Sequence, residues 1–269
     1  MPPAKTKATS RKATAAKIAT ETAPEIDALT RPVPVVAEDG HTAIPIHLFD
    51  DQDAFDKWQE KQTKTVKAWV EASGFKLKAN ACLTIPGKEG SIKHVIAAAI
   101  GDVDLYATAS LPGKLPAGDY QLASVNNMPP SDNEYRETAI AWGLASYKFT
   151  AIKSKPSNGD TQPASTQLVV PKGTLFDQAM ATIRAVWLTR DLVNMPSNYM
   201  GPEELAAAAV MVGKTFKAKT TITDDQEVVA EEYPAIYAVG KASNRHPRLI
   251  DLQWGKKKHP LITLVGKGV

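Results

Sequence analysis

Short apolar runs alternate with amphipathic stretches between residue 42 and residue 170. Gly/Pro-rich turns such as 112–118 separate the runs, as is typical of strands joined by tight connections. The pattern predicts strands at 81–85, 94–100, 120–125 and 166–170. Strands interspersed with helices predict a compact α/β domain over 42–170. Residues 153–163 are predicted to form a loop within it.

Two helices are predicted inside this domain. The first starts at the capping pair Asp50-Asp51 and ends at Ser73-Gly74. Its apolar positions keep helical spacing: Phe55, Trp58, Val66, Trp69 and Val70. The second starts at Ser131, which forms a capping-box pattern with Glu134, and continues to about residue 146. Trp58 and Trp69, together with Trp187 further along the chain, are expected in the core.

A long amphipathic helix is predicted over 171–193, where it would link the first domain to the rest of the chain. Apolar residues recur along one face at intervals of three and four: Leu175, Phe176, Ala179, Met180, Ile183, Val186 and Trp187. After an irregular stretch at 194–201, Pro202 favours the first turn of a helix that ends near residue 212. The elements predicted next are a strand at 219–222, a short helix after Asp224-Asp225, and strands at 248–254 and 261–265.

The last predicted strand is unusual. Residues 261–265 form the continuous apolar run expected of a strand buried on both faces. Gly266-Lys267-Gly268 come next, and the sequence ends at Val269. A central strand without cover predicts that the domain over 194–269 is incomplete.

Charge is concentrated at the amino terminus. The first twenty residues hold five basic and no acidic side chains, which leaves 27 basic against 29 acidic residues elsewhere. The nearly neutral body argues against a general nucleic-acid-binding surface. Residues 1–41 are predicted to be a disordered basic tail and linker. The tail itself could alternatively be a targeting peptide or an electrostatic contact for nucleic acid or a protein partner.

The sequence contains none of the common catalytic motifs considered next. The five histidines form no HExxH pattern, and neither a Walker A loop nor a GxSxG elbow is present. Acidic pairs at 203–204, 224–225 and 231–232 fall near predicted helix ends, where solvated caps are expected. No apolar stretch has membrane-spanning length, and the single cysteine, Cys82, fits a reducing compartment; both favour a cytoplasmic location.

Four segments near the carboxyl terminus do resemble a known family, the leucyl aminopeptidases or cytosol aminopeptidases. They are TRDLVNMPSNYMGPEELAAAA (189–209), YPAIYAVGKAS (233–243), PRLIDLQWG (247–255) and LITLVGKGV (261–269). Their order and spacing are those of the family, and together they cover about the last 80 residues. Residues 44–188 resemble the family's variable amino-terminal domain in size, position and α/β character.

The resemblance implies a macro-domain-like amino-terminal domain, a linking helix and the first part of an α/β metallopeptidase catalytic domain. It implies a homohexameric exopeptidase that removes leucine-type residues from peptides with two divalent ions, manganese or zinc. Lys267 occupies the position of a metal-binding lysine, whose amine can coordinate only when neutral. Asn194, Pro196 and Asn198 match a family segment and are expected to shape its turn.

The remaining metal ligands and the catalytic residues of the family have no counterpart in this chain. We therefore expect a chain that is truncated before most of the active site and inactive alone. Two alternatives stay open. One is a binding module for an ADP-ribose-type ligand or, through the tail, for DNA; the other is a partner that modulates full-length subunits.

Overall fold

The computed structural model describes residues 26–40, 42–99, 107–149, 151–152 and 166–268. Internal contacts divide these into an amino-terminal unit, Asp27–Asp191, and a carboxy-terminal unit that contains residues 192–268. The predicted tail before residue 26 and the predicted loop at 153–163 lie outside the described residues. None of the described helices is both long enough and apolar enough to cross a membrane.

A mostly parallel six-stranded sheet organises the amino-terminal unit. Its strands are β1 (Val35–Ala37), β2 (Ile44–Phe49), β3 (Cys82–Pro86), β4 (Ile92–Ala98), β5 (Gly118–Val125) and β6 (Thr166–Val170). Their order is β1-β6-β5-β2-β4-β3, and only β3 runs antiparallel to its neighbour. The α/β class predicted from the alternating pattern is confirmed, and β6 matches its predicted limits.

Helices α1 (Gln52–Glu60) and α2 (Lys64–Ala72) cover one face of this sheet. Asp51 caps α1 as predicted, but the single helix predicted here is wrong because Thr63 starts a new one. The Thr63 hydroxyl accepts a hydrogen bond from the amide of Val66 at 3.4 Å, which is N-cap geometry. A cluster of aromatic and aliphatic side chains fills the space beneath both helices: Phe49, Phe55, Trp58, Val66, Val70, Ile85 and Ile96.

Trp69 does not belong to that core, contrary to the prediction. Its side chain is 44% exposed, and its indole nitrogen donates to the carbonyl of Thr84 at 3.1 Å. Thr84 belongs to the edge strand β3, which pairs with β4 alone. Trp69 therefore covers part of an open sheet edge, a position that helical spacing cannot distinguish from the core.

Helix α3 (Asp132–Ala145) packs on the opposite face, and α4 (Thr174–Asn194) packs against α3. Tyr120 of β5 meets Trp142 of α3 with ring centroids 6.2 Å apart. The capping box predicted at Ser131 is present, and α3 ends where predicted. Trp187 is buried as expected, and its indole nitrogen donates to the carbonyl of Gly143 at 3.0 Å.

Residues 27–37 correct the predicted limit of the disordered tail. Ala28, Val33 and Val35 are buried, and β1 pairs with β6 at the edge of the sheet. Along this segment the apolar side chains supply the burial that offsets the cost of ordering. The amino-terminal unit thus begins well before the predicted boundary at residue 42.

The carboxy-terminal unit contains α5 (Pro202–Phe216), β7 (Lys219–Thr223), α6 (Gln226–Glu232), α7 (Pro234–Gly240) and β8 (Leu249–Gln253). Strands β7 and β8 form a two-stranded antiparallel sheet. Helix α5 extends one turn beyond its predicted end, to a left-handed Lys217. Helix α7 was not predicted, and no residue of it is buried.

The strand predicted at 261–265 is absent. Leu261, Ile262, Leu264 and Val265 are 82–93% exposed, in an irregular segment. A strand buried on both faces needs neighbours at its edges and cover on its faces. Among the described residues no element pairs with this segment, so the apolar run lacks the surroundings that the prediction assumed.

Candidate functional site

The first turn of α5 forms a tightly packed corner with the irregular segment before it. Gly201 is the N-cap, and its amide donates to the Glu204 carboxylate at 2.9 Å. Pro202 takes the first helical position, where its missing N–H is not needed. A Cβ at Gly201 would lie 2.3 Å from the guanidinium carbon of Arg245, so a side chain here would displace that guanidinium.

Arg245 links this turn to the preceding segment. One terminal nitrogen, Nη1, donates to the carbonyls of Ser197 at 3.3 Å and Asn198 at 3.4 Å. The other, Nη2, pairs with the carboxylate of Glu204. The guanidinium therefore connects two backbone carbonyls and one carboxylate, and it fixes residues 197–204 as a unit.

The surroundings of Glu204 favour its charged form. Burial opposes ionisation, but hydrogen bonds from the amides of Gly201 and Glu204 and from Arg245 outweigh it and lower the pKa of this carboxyl group. A negative charge at the start of α5 also complements the helix dipole. The capping role expected for the acidic pair 203–204 is thereby confirmed for Glu204.

Arg248 forms a second connection at the same helix end. It donates to Glu203 at 2.7 Å and to Asp224 at 3.3 Å. Asp225 caps α6 through its side chain, as predicted. The acidic residues at these helix starts thus act as caps and ion pairs. Neither arginine was predicted from the sequence, because no motif spacing marks them.

The turn at 196–200 is closed by its own backbone. The carbonyl of Pro196 accepts from the amides of Tyr199 and Met200, both at 2.9 Å. Together with the Arg245 contact at Asn198, this arrangement agrees with the turn-shaping role expected for the matched segment.

Lys267, the predicted metal ligand, lies in the exposed carboxy-terminal segment. Its amine donates to the neighbouring carbonyl of Gly268 at 3.1 Å. Gly268 lies against α5, where a Cβ would approach Leu205 Cδ2 to 2.7 Å. Among residues 26–40, 42–99, 107–149, 151–152 and 166–268, no group of three His, Cys, Asp or Glu side chains could hold a metal ion. The described residues thus offer one candidate ligand, which does not fit a dinuclear site by itself.

A pair of histidines, of which His94 is buried and His47 partly buried, lies on the α1 side of the sheet in the amino-terminal unit. The rings of His47 and His94 are 5.4 Å apart, and His47 Nδ1 lies 2.7 Å from Ser124 Oγ. His94 is 6% exposed, and within the described part of the chain its Nε2 has no hydrogen-bond partner. Burial, with smaller contributions from His47 and Lys93, lowers the pKa of His94 to about 4. His94 thus lies beneath α1, with its ring 5.6 Å from that of Trp58.

Two family models match the chain. Residues 44–171 match the M17 aminopeptidase N-terminal domain, and residues 187–269 match the catalytic domain of the cytosol aminopeptidase family. The fold and these matches define a chain of the metallopeptidase class. The chain belongs to the M17 cytosol aminopeptidase family, as its sequence motifs implied.

Comparison with individual relatives shows what share of each relative's length this chain matches. A probable cytosol aminopeptidase of Corynebacterium efficiens is 31% identical over 216 residues, which are 78% of this chain and 43% of the relative. The corresponding protein of Corynebacterium glutamicum is 27% identical over 84% of this chain and 48% of the relative. The chain therefore spans about half the length of the curated relatives that it matches.

Solved structures lead to the same fold. The crystal structure of a cytosol aminopeptidase from Coxiella burnetii has a TM-score of 0.68 and 34% identity, covering 84% of this chain and 47% of that one. The bottromycin maturation enzyme BotP, in a complex with Mn, has a TM-score of 0.58 at 19% identity. The match with BotP covers 80% of this chain and 46% of the BotP chain. At that identity the second likeness shows the fold alone.

Proposed function

We propose that this chain supplies the amino-terminal half of a metal-dependent aminopeptidase that removes leucine-type residues from peptide amino termini. The observation that carries the proposal is the catalytic-domain match over residues 187–269, a range that includes Lys267, the residue to which the family resemblance assigns metal binding. The Arg245 contacts to the segment 197–204 support it, because they order the part of the chain that carries the family motif.

Lys267 would be one ligand of the metal centre in this proposal, and the other ligands would come from residues that this chain does not contain. Two divalent ions, manganese or zinc, would polarise the scissile carbonyl and activate a water molecule. A lone lysine cannot hold two ions, so we propose that residues 1–269 are inactive alone. The homohexamer expected from the family resemblance is part of the same proposal.

The alternative of a ligand-binding module finds less support in the fold. Helices α1 and α3, which follow the neighbouring strands β2 and β5, pack on opposite faces, so the sheet has its switch point there. Two side chains at this point use polar groups in hydrogen bonds within the protein: Asn126 accepts from the amide of Asp50 at 3.1 Å, and Asn127 donates to the carbonyl of Ala54 at 2.7 Å. DNA binding through residues 1–20 stays a prediction, since those residues lie outside the described part of the chain.

Hydrolysis of leucine p-nitroanilide with Mn²⁺ or Zn²⁺ tests the proposal. The intact protein from its native source should be active, and Lys267→Ala in it should lower turnover by more than about 100-fold. Lys258→Ala is the matched control, because Lys258 is an exposed lysine of the same unit outside the family motif.

Residues 1–269 prepared alone should show no metal-dependent turnover. Turnover by this chain alone that a chelator abolishes would overturn the proposal that the other metal ligands lie outside residues 1–269. Equal activity of the Lys267→Ala and Lys258→Ala proteins would overturn the role of Lys267.

A further inference from the structure

A cleft lined by lysines opens at the β3 edge of the amino-terminal unit. Its volume is about 320 Å³, and the loop after α2, the start of β3 and a loop near residue 114 surround it. Lys76, Lys78 and Lys114 line this lysine cleft together with Asn80 and Cys82. The volume lies at the lower end of the range for small-molecule sites.

The charged side chains described in the lining of the lysine cleft are all positive. Of the described residues that line it, three are lysines and none is acidic. No aspartate or glutamate occurs in the sequence between Glu71 and Glu89. Since the body of the protein beyond residue 20 has slightly more acidic than basic residues, this local excess does not reflect a generally basic surface.

Core packing fixes the backbone that carries two of these lysines. Phe75 and Leu77 pack against the cluster beneath α1 and α2, and the Phe75 ring lies 5.5 Å from that of Phe55. Lys76 and Lys78 alternate with them and are exposed. The alternation holds both lysines at the rim of the cleft.

Hydrogen bonds position the third lysine of the cleft, Lys114. Its amine donates to the carbonyl of Asn80 and to Ser110 Oγ, the latter at 3.2 Å. The amides of Lys114 and Leu115 both bond to the carbonyl of Leu111 at 3.0 Å, and the Leu111 and Leu115 side chains are buried. The third ammonium group is thus positioned before any ligand arrives.

The thiol of Cys82 adds no negative charge to the lining of the cleft. Burial raises the pKa of its thiol, and the nearby Lys114 only partly opposes this effect. The thiol therefore stays neutral near pH 7, and nothing described in the lining cancels the three positive charges.

We propose that the lysine cleft binds a phosphate group of a small anionic ligand. A doubly charged phosphate matches three ammonium groups better than a single carboxylate does, and lysine binds phosphate as a point charge. The volume of the cleft favours a small molecule over a nucleic-acid strand. This inference is independent of the proposed peptidase activity, because it concerns the amino-terminal unit alone.

Calorimetric titration of the full chain at constant ionic strength tests the inference, with inorganic phosphate, pyrophosphate and glycerol phosphate as probes. We expect saturable binding of one probe molecule per chain. Lys76→Gln/Lys78→Gln should weaken it by about tenfold or more, and adding Lys114→Gln should weaken it further. The matched control, Lys57→Gln/Lys61→Gln/Lys64→Gln, removes three exposed charges outside the cleft and should bind normally.

Cys82, the single cysteine, reports the location of binding. A saturating probe should slow the reaction of its thiol with a neutral disulfide reagent, whereas sodium chloride of equal ionic strength should not. The double variant leaves the Lys114 contacts intact, so its weaker binding would not reflect loss of that loop. Equal loss in control and cleft variants, no saturable binding of any of the three probes, or unchanged Cys82 reactivity would overturn the inference.

Discussion

Arg31 donates to the buried carboxylate of Asp191, which lies 160 residues further along the chain, at 3.2 Å. The Asp191 carboxylate also accepts from the hydroxyl of Tyr147 at 2.7 Å. The guanidinium of Arg31 lies over the Trp187 ring, 4.9 Å from its centroid. These contacts connect the segment before β1 to α4. They explain why the amino-terminal unit starts earlier than its apolar pattern predicts.

Asp191→Asn should therefore destabilise the chain by about 2 kcal/mol, since it removes the charge of the buried carboxylate that pairs with Arg31 and leaves the guanidinium only an exposed ionic partner. Asp27→Asn is the matched control. Asp27 pairs with the same arginine at 3.2 Å but is half exposed, so its change should cost less than about 0.5 kcal/mol. Urea unfolding followed by circular dichroism checks both variants, and equal losses would contradict the role given to Asp191.

The sequence predicted the elements of the fold whose signals are local. The capping box at Ser131, the cap at Asp51 and the strand at 166–170 all rest on residues near one another in the chain. Segments that depend on distant partners were misjudged. Strand β1 is ordered by pairing with β6, and the apolar run 261–265 is exposed because no described element covers it.

The candidate site was predictable only through the family resemblance. Lys267 has no distinguishing feature apart from its matched segment. Arg245 was missed because its partners, the Ser197 and Asn198 carbonyls and Glu204, are more than 40 residues away in the sequence. Such contacts arise only in the folded chain and leave no spacing pattern.

Gly143 marks a close approach of α3 to α4. A Cβ there would lie 2.5 Å from Ile183 Cδ1, and Ile183 is fully buried. Gly143→Ala should lower stability by about 1–2 kcal/mol, because overpacking outweighs the gain in helix propensity. In thermal unfolding, Ile183→Val should cost less in the Gly143→Ala background than in the wild type.

Gly113→Ala provides the control for this contact, because the nearest described atom to its added Cβ is 3.9 Å away. Its stability should change by less than about 0.5 kcal/mol. A Gly143→Ala protein as stable as Gly113→Ala would show that the two helices have room to separate.

Stability should fall in mild acid because of His94. Its pKa is about 4 in the folded chain and about 6.5 when unfolded, so the unfolded state binds the proton more tightly. The stability due to the neutral ring is therefore present above pH 6.5 and is lost as the pH falls towards 4. The groups facing His94 are His47 and Trp58, with Lys93 beside it, and none of these stabilises a positive charge there by an ion pair.

Urea unfolding between pH 7 and pH 4.5 measures this effect. His94→Leu should remove about 2 kcal/mol of the wild-type pH dependence. His259→Leu, which changes an exposed histidine, should leave the dependence unchanged. Identical pH profiles for the wild type and His94→Leu would contradict the assignment.

Arg245→Gln should loosen the turn at 196–200. Without the guanidinium, the amides of Tyr199 and Met200 should exchange their hydrogens about tenfold faster. Arg248→Gln is the matched control, because Arg248 binds the same helix end through Glu203 without touching the turn. Hydrogen exchange read by mass spectrometry distinguishes the two, and equal acceleration in both variants would refute a specific role for Arg245.

The most direct test of the central claim is the mass of the polypeptide that carries Mn²⁺-dependent leucine-amide hydrolysis in the native source. The present chain has a mass of 29.0 kDa and spans about half of its relatives. A polypeptide of about twice this mass that contains the present sequence is the predicted result. An active polypeptide of 29.0 kDa would contradict the account, because the 269 residues would then have to hold the whole metal site.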